Sequence, residues 1–306
     1  MIMKKQFRGV MLLLITTMIW GSSFVAQSMG MEHIGPFTFQ ATRCMLGVLF
    51  LQPIIFIGDH IGKSEKTFFQ NWANKKLWIT GILCGIPLFL ACNLQQLGLA
   101  GDTDAGKSGF LTAMYIVIVP VLGIFLKRKP TIMVPISVAI AVAGLYCMSC
   151  VGVTSISLGD LLTICCAFMF AVQITLVDRM AGSLDAFRLN AIQALVCSVL
   201  SGIVMLFTES PSWSSITACA LPLAHSGMLS MALGYGLQIL GQRDLEPTSA
   251  SIIMSLEGVF AVIFGALILQ ERMSSWELLG CGLMFTAVIL SIIPVKTRKK
   301  ETVHPQ

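Results

Sequence analysis

Charge is what this chain has least of. Asp, Glu, Lys and Arg make up 11% of its 306 residues, against roughly 25% in an ordinary soluble domain. That scarcity excludes a solvated globular enzyme. Histidine occurs four times, and His33, His60, His225 and His304 stand far apart. No spacing among them suits a metal centre, so no cofactor or metal is expected. Long polar stretches are missing too. The widest polar gap, 58–76 with Asp59, Lys63, Glu65 and Lys66, is a loop and leaves no room for a separate catalytic domain. The basic excess is only +5 and is broken into short groups, so no nucleic-acid partner is needed.

What fills the chain is apolar: 56% hydrophobic residues and a mean hydropathy of +0.84. A helix crossing a bilayer takes about 20 mostly apolar residues. Runs of that kind fall near 10–30, 36–57, 77–99, 105–126, 132–150, 158–179, 186–208, 220–241, 248–269 and 276–295. The expected fold class is therefore all-α integral membrane, with ten transmembrane helices in a lipid bilayer. The apolar run after Lys4, Lys5 and Arg8 could open a secretory signal, but with everything downstream membranous it reads as an uncleaved first helix.

The ten runs divide into two sets of five, residues 1–152 and 153–306, whose hydropathy profiles and rare polar positions match. Five is odd, so the second set enters the membrane from the other side. Inverted repeats of this kind build alternating-access transporters. Basic residues fix the orientation, because cytoplasmic loops carry the excess. With the N-terminus inside, the inner segments hold Lys4, Lys5 and Arg8; Lys63, Lys66, Lys75 and Lys76; Lys127, Arg128 and Lys129; Arg179; Arg243; and Lys296, Arg298, Lys299 and Lys300. The outer loops hold Arg272, with Lys107 near a helix start. Both termini are expected in the cytoplasm.

Two motifs lose their usual meaning in this setting. Most of the ten cysteines, including Cys44, Cys84, Cys92, Cys165, Cys166, Cys197 and Cys281, lie within spans as small apolar residues. Cys147 and Cys150 form one C-x-x-C pair, a candidate redox couple. Gly101 to Ser108 fits the phosphate-loop pattern G-x-x-x-x-G-K-[ST], which requires a preceding buried strand. A membrane helix precedes it here, Asp102 and Asp104 would repel phosphate, and the loop falls outside the cell. No nucleotide partner is expected.

Polar residues inside a bilayer are costly and usually face the bundle interior or a wet cavity; interhelical hydrogen bonding is the alternative use. Thr16, Trp20, Ser23 and Gln27 share a face of the first span by i+3/i+4 spacing. An offset of about 150 residues pairs them with Cys166, Phe170, Gln173 and Val177, and pairs Gln40 and Arg43 with Asn190 and Gln193. An offset of about 142 pairs Phe89, Asn93 and Gln96 with Met231, Tyr235 and Gln238, a stripe that Gln242 extends. The same offset takes Ser108, Thr112 and Tyr115 to Ala250, Met254 and Glu257. The fifth and tenth runs carry no such stripe and read as scaffold. Arg43 and Glu257 are the costliest to bury. They can pair with each other, or bind a substrate carboxylate and an amine or coupling proton. His225 is a candidate pH sensor. Pro53, Pro87 and Pro120 lie within spans, where proline kinks a helix, and Gly81 with Gly85, or Ala261 with Gly265, permit close helix approach.

These features resemble the drug/metabolite transporter superfamily in its ten-helix form with two EamA-type repeats. The resemblance rests on Trp20-Gly21-Ser22-Ser23-Phe24, Arg43, Gly109-Phe110-Leu111-Thr112 leading to Tyr115 and Val119-Pro120, Leu158-Gly159-Asp160, Ser255 to Ala261, and Leu269-Gln270-Glu271-Arg272. The chain departs from that pattern at Gly258, where the family commonly has proline, at Gln270, where it has glycine, and at Lys127-Arg128-Lys129, which replaces an acidic motif. The resemblance implies a cytoplasmic-membrane permease for amino acids, metabolites or toxic compounds, often an exporter. It also implies a basket of helices three, four, eight and nine, with one, two, six and seven moving around it.

The function expected is thus secondary transport of a small organic solute, not enzymic catalysis. Trp20, Tyr115 and Tyr235 would supply apolar surface. Ser23, Asn93, Gln96, Thr112, Gln173, Gln193 and Gln238 would supply hydrogen bonds, and Arg43 and Glu257 charge. An intramembrane enzyme acting on lipid-like substrates, or a non-transporting sensor or scaffold, are the alternatives. The first would need acid, base or metal ligands clustered near one interface; the second would tolerate substitution along every stripe.

Overall fold

The computed structural model describes residues 2–62, 67–101, 103, 105–127, 133–149, 156–268 and 274–292. Asp102, Asp104, Cys150, Arg272 and the basic residues at 63, 66, 128, 129 and 296–300 lie outside them. The described residues hold helices and connecting turns but no strand. Helices satisfy every main-chain group internally, which hydrocarbon surroundings demand. In chain order they are α1 (Ile2–Met31), α2 (Pro36–Ile61), α3 (Phe68–Trp72), α4 (Lys75–Ala100), α5 (Ala105–Ala113), α6 (Tyr115–Phe125), α7 (Met133–Ser149), α8 (Leu158–Met180), α9 (Ala186–Thr208), α10 (Trp213–Ala218), α11 (Ala220–Ala224), a π-helix (His225–Gly234), α12 (Tyr235–Gln242), α13 (Pro247–Met254), α14 (Leu256–Ile268) and α15 (Ser275–Ile292). Among the described residues eight helical stretches are long and apolar enough to cross a membrane, and Met133–Cys147 is a shorter apolar helix. The short helices α3 and α10 lie in segments that the hydropathy profile reads only as loop.

Helix ends are closed by local chemistry. Ser157 and Asp160 form a capping box at α8, and Asn74 caps α4. α2 starts with Pro36 in its first turn and borrows its cap from far away. Glu209 accepts from Phe37 N at 2.9 Å, Thr38 N at 2.8 Å and Thr38 Oγ1 at 2.6 Å. A carboxylate there meets unpaired N–H groups and the positive end of the helix dipole. A Cβ at residue 35 would overlap that carboxylate, so a side chain there would push the cap aside.

Ties gather at the two ends of the bundle. At the end carrying the basic residues, Arg8 grips Asp244 through two bonds of 2.7 and 3.1 Å. Arg188 pairs with Asp59, and Arg243 donates to the Leu184 carbonyl. At the opposite end lie the Glu209 cap and a cluster around Asp160. In between, α7 packs on α15, where Gly144 lies against Gly280 O and Leu283.

The π-helix sits within the run that hydropathy reads as a single span over 220–241. Its wide turns, and their passage into α12, leave main-chain groups to be satisfied elsewhere. Asn190 Nδ2 donates to Met231 O at 2.8 Å and Ala232 O at 2.9 Å, all of it buried. Asn190→Ala is expected to strip both carbonyls of this donor at a cost of about 1–3 kcal/mol, read as a lower unfolding midpoint in detergent.

Candidate functional site

The helices surround a narrow polar cavity near mid-bundle, which in this conformation has room for little more than a water molecule. Its walls come from α1 (Trp20, Ser23, Phe24, Gln27), α2 (Arg43), α4 (Gln95), α6 (Tyr115), α8 (Phe170, Ile174), the π-helix (Ser230), α12 (Tyr235, Gln238) and α14 (Glu257). Among the described residues, α7, α9 and α15 contribute nothing to the lining.

Two of these residues stand where a helix is interrupted. Met114 ends α5 with ψ −11°, and Ser255 ends α13 with ψ −10°, both far from the roughly −42° of an α-helix. Each turn tightens to i+3 bonds, Val117 N to Met114 O at 3.0 Å and Gly258 N to Ser255 O at 3.2 Å. Tyr115 follows the first break and Glu257 follows the second. Discontinuous helices of this kind recur at transporter binding sites.

The Trp20 and Tyr235 rings pack at 4.8 Å between centroids, tilted by 50°, and Cys92 Sγ lies 3.6 Å from the Tyr235 hydroxyl. Together they form an aromatic wall. Arg43 is 2% exposed and Glu257 4%. They do not pair with each other. Among the described residues no carboxylate lies within ion-pair distance of Arg43, whose guanidinium sits 5.9 Å from the Phe39 ring. The walls therefore carry unfilled hydrogen-bonding capacity. Among the described residues Trp20 Nε1 and Arg43 Nε lack acceptors and Gln27 Oε1 and Gln238 Oε1 lack donors, while the Tyr115 hydroxyl faces the Glu257 carboxyl group. Each unfilled buried group costs about 1–3 kcal/mol that a hydrogen-bonding guest would relieve.

Five of the residues expected from the stripes stand behind this wall. Gln173 Nε2 donates to Gln193 Oε1 at 3.0 Å, and Gln238 Nε2 donates to Gln173 Oε1 at 3.2 Å. Gln193 and Gln173 thus orient Gln238. Thr112 Oγ1 accepts from Gln95 Nε2 at 3.0 Å and orients that amide in the same way. Asn93 Nδ2 reaches Ser201 Oγ at 2.8 Å and joins α4 to α9. Gln96 Nε2 donates to the Gln27 carbonyl at 3.4 Å. Trp20, Ser23, Arg43, Tyr115, Tyr235, Gln238 and Glu257 all reach the cavity itself. Phe24, Gln95, Ile174 and Ser230 line the cavity although no stripe includes them.

The EamA-like transporter family model matches residues 7–150 and again residues 157–293. The chain belongs to the EamA-like transporter family. Proteins it resembles include an uncharacterized transporter of Archaeoglobus fulgidus, 27% identical over 284 residues covering 91% of this chain and 83% of that one. The uncharacterized transporter YoaV of Bacillus subtilis is 23% identical over 92% of this chain and 96% of its own. A solved crystal structure superimposes with a TM-score of 0.73 at 15% identity, over 92% of this chain and 97% of that one, which establishes the shared fold. This EamA-family protein is accordingly a membrane transporter and a multi-pass protein of the cell membrane.

Other sequence motifs of this EamA-family chain have local structural uses. Lys107, in the phosphate-loop-like stretch, donates to Asp160 Oδ2 at 2.5 Å, and Thr103 Oγ1 donates to Asp160 Oδ1 at 2.9 Å. The stretch runs from α4 into α5, with a helix where a nucleotide loop has a strand. His225 Nε2 lies 3.1 Å from Ser22 Oγ, so it ties the π-helix to α1. Cys147 is unpaired, and its C-x-x-C partner Cys150 lies outside the described residues.

Proposed function

We propose that this EamA-family protein is a secondary transporter, an exporting permease, that moves small organic metabolites such as amino acids, or toxic compounds, across the cytoplasmic membrane. It works by alternating access to the central cavity and does no chemistry on its solute. Residues 1–152 and 153–306 are its two inverted five-helix repeats, giving ten spans with both termini in the cytoplasm. One observation carries the reading. Arg43 and Glu257, ionisable groups of opposite type, are both buried on the walls of one cavity and do not pair with each other. A buried charge without a partner is strongly destabilising, so the pair is best explained as half of an interaction that the solute completes. Arg43 meets a carboxylate, Glu257 meets an amine or carries a coupling proton, and the Trp20–Tyr235 wall takes the apolar part. Ser23 and Gln238 add hydrogen bonds, with Gln173, Gln193, Thr112, Asn93 and Gln96 holding the surrounding polar frame.

The test is a thermal-stability screen of the detergent-solubilised protein against amino acids and small aromatic solutes. A ligand at a hundred times its Kd adds about 2.7 kcal/mol, an easily measured upward shift. The shift is expected to vanish in Glu257→Gln or Arg43→Ala. A panel that stabilises nothing, together with liposomes that pass none of its members, would overturn the proposal.

A further inference from the structure

Toward the basic end the cavity stops at a thin layer. α8 lines the central cavity with Phe170 and Ile174, and one turn further on lines a second, roomier space with Val177 and Asp178. α12 behaves alike, with Tyr235 and Gln238 above and Ile239 and Gln242 below. Only about one helical turn, roughly 5.4 Å, separates the two spaces along this seam. Two hydrogen bonds cross it. Gln238 Nε2 donates to Gln173 Oε1 at 3.2 Å, and Gln242 Nε2 donates to Ile174 O at 3.3 Å.

The opposite end has a counterpart. Gln96 Nε2 of α4 donates to Gln27 O of α1 at 3.4 Å. The offset of about 142 residues takes Gln96 to Gln238, and the offset of about 150 takes Gln27 to Val177, one turn beyond Gln173 and Ile174. In both places an amide from the third helix of a half closes onto the first helix of that half. If the halves are inverted, the two closures sit at opposite ends. Each is only half satisfied, because Gln96 Oε1, Gln238 Oε1 and Gln242 Oε1 have no donor among the described residues. A buried network with unfilled acceptors is poorly stabilised, and water or a solute N–H entering the seam fills them.

We propose that these glutamines are the two gates of the transport path. Gln242, with Gln238, latches the α8–α12 seam toward the basic end, and Gln96 latches the α1–α4 seam toward the other. The assignment rests on the transporter reading above and adds to it the route and the residues that close it.

Cysteine accessibility tests it without a known substrate. Ser230→Cys places a reporter thiol in the central cavity, and Leu245→Cys places one in the basic-end space. A membrane-impermeant maleimide is added to one face at a time, using vesicles of both orientations, and peptide mass mapping separates the reporters from native cysteines. The Leu245→Cys thiol is expected to react from the basic face in the parent protein. Adding Gln242→Ala should raise Ser230→Cys labelling from the basic face by about fivefold, the effect of losing one hydrogen bond on a two-state population. Gln96→Ala should raise it from the opposite face only. Gln242→Met, which keeps the volume and removes the amide, covers the case in which the alanine variant fails to fold. Labelling that stays unchanged in these variants, or rises equally from both faces, would overturn the gate assignment. A seam that opens as described in a protein that moves no solute would sink the transport reading and leave the gates standing.

Discussion

Arg43→Ala is expected to lower transport of a carboxylate-bearing solute about thirtyfold or more while leaving solutes without a carboxylate little changed. The guanidinium is buried and has no carboxylate partner among the described residues. Truncating one member of a desolvated charge pair costs about 2–5 kcal/mol. Arg43→Lys keeps the charge but loses the planar fork, and should recover only part of the rate. Glu257→Gln is the reciprocal probe, harming solutes with an amine and sparing those without. Initial rates in proteoliposomes, measured over a matched set of acids, amines and zwitterions, separate the cases. Equal losses for every solute would mean that the two charges maintain the fold and do not read the solute.

Asp160→Ala should be among the most damaging substitutions outside the cavity, lowering stability by about 1–3 kcal/mol. Asp160 is 1% exposed and holds three elements at once. It accepts from Lys107 Nζ, Thr103 Oγ1 and Ser157 N, and thereby joins the start of α5, the turn before it and the capping box of α8. Removing the carboxylate takes from Lys107, Thr103 and Ser157 the acceptor they share. Asp160→Asn keeps the shape and some of the hydrogen bonds, so its loss should be smaller. Unfolding midpoints of the two variants in the same detergent give the comparison. A midpoint for Asp160→Ala within a degree or two of the parent would contradict this role.

The long helices were legible because length and hydropathy are nearly sufficient in a bilayer, where few other structures satisfy the backbone. The breaks at Met114 and Ser255 were not. No proline stands at either, and the Gly258 that closes the second turn is not by itself a sign of a break inside an apolar run. The π-helix left no compositional mark either, since its cost is met by Asn190 on a distant helix.

On α4 the stripe names Asn93 and Gln96, whereas the residue of this helix on the cavity lining is Gln95. Spacing correctly put Asn93 and Gln96 on one face, but spacing cannot say which way that face turns. Gly81 lies against Ile192, and Gly85 against Val196, so the small-residue face of α4 is pressed onto α9. Asn93 continues that face and reaches Ser201 of α9, while Gln95, a rotation of about 100° away from Gln96, looks into the cavity. Glu209 went unnoticed for a different reason. A cap supplied by a residue more than 170 positions away in the sequence has no local signature. Arg43, Trp20, Tyr235 and Glu257 were easier to find, because ionisable and hydrogen-bonding side chains in mid-span are themselves the signal.

The central claim is that the solute sits between the Trp20–Tyr235 wall and the Gln238 amide. Its most direct test is flux in proteoliposomes of a solute identified by thermal stabilisation, compared between the parent protein, Tyr235→Ala and Gln238→Ala at matched incorporation. Flux in the parent and its loss in both variants is the predicted result. Flux that continues unchanged in both would contradict the account.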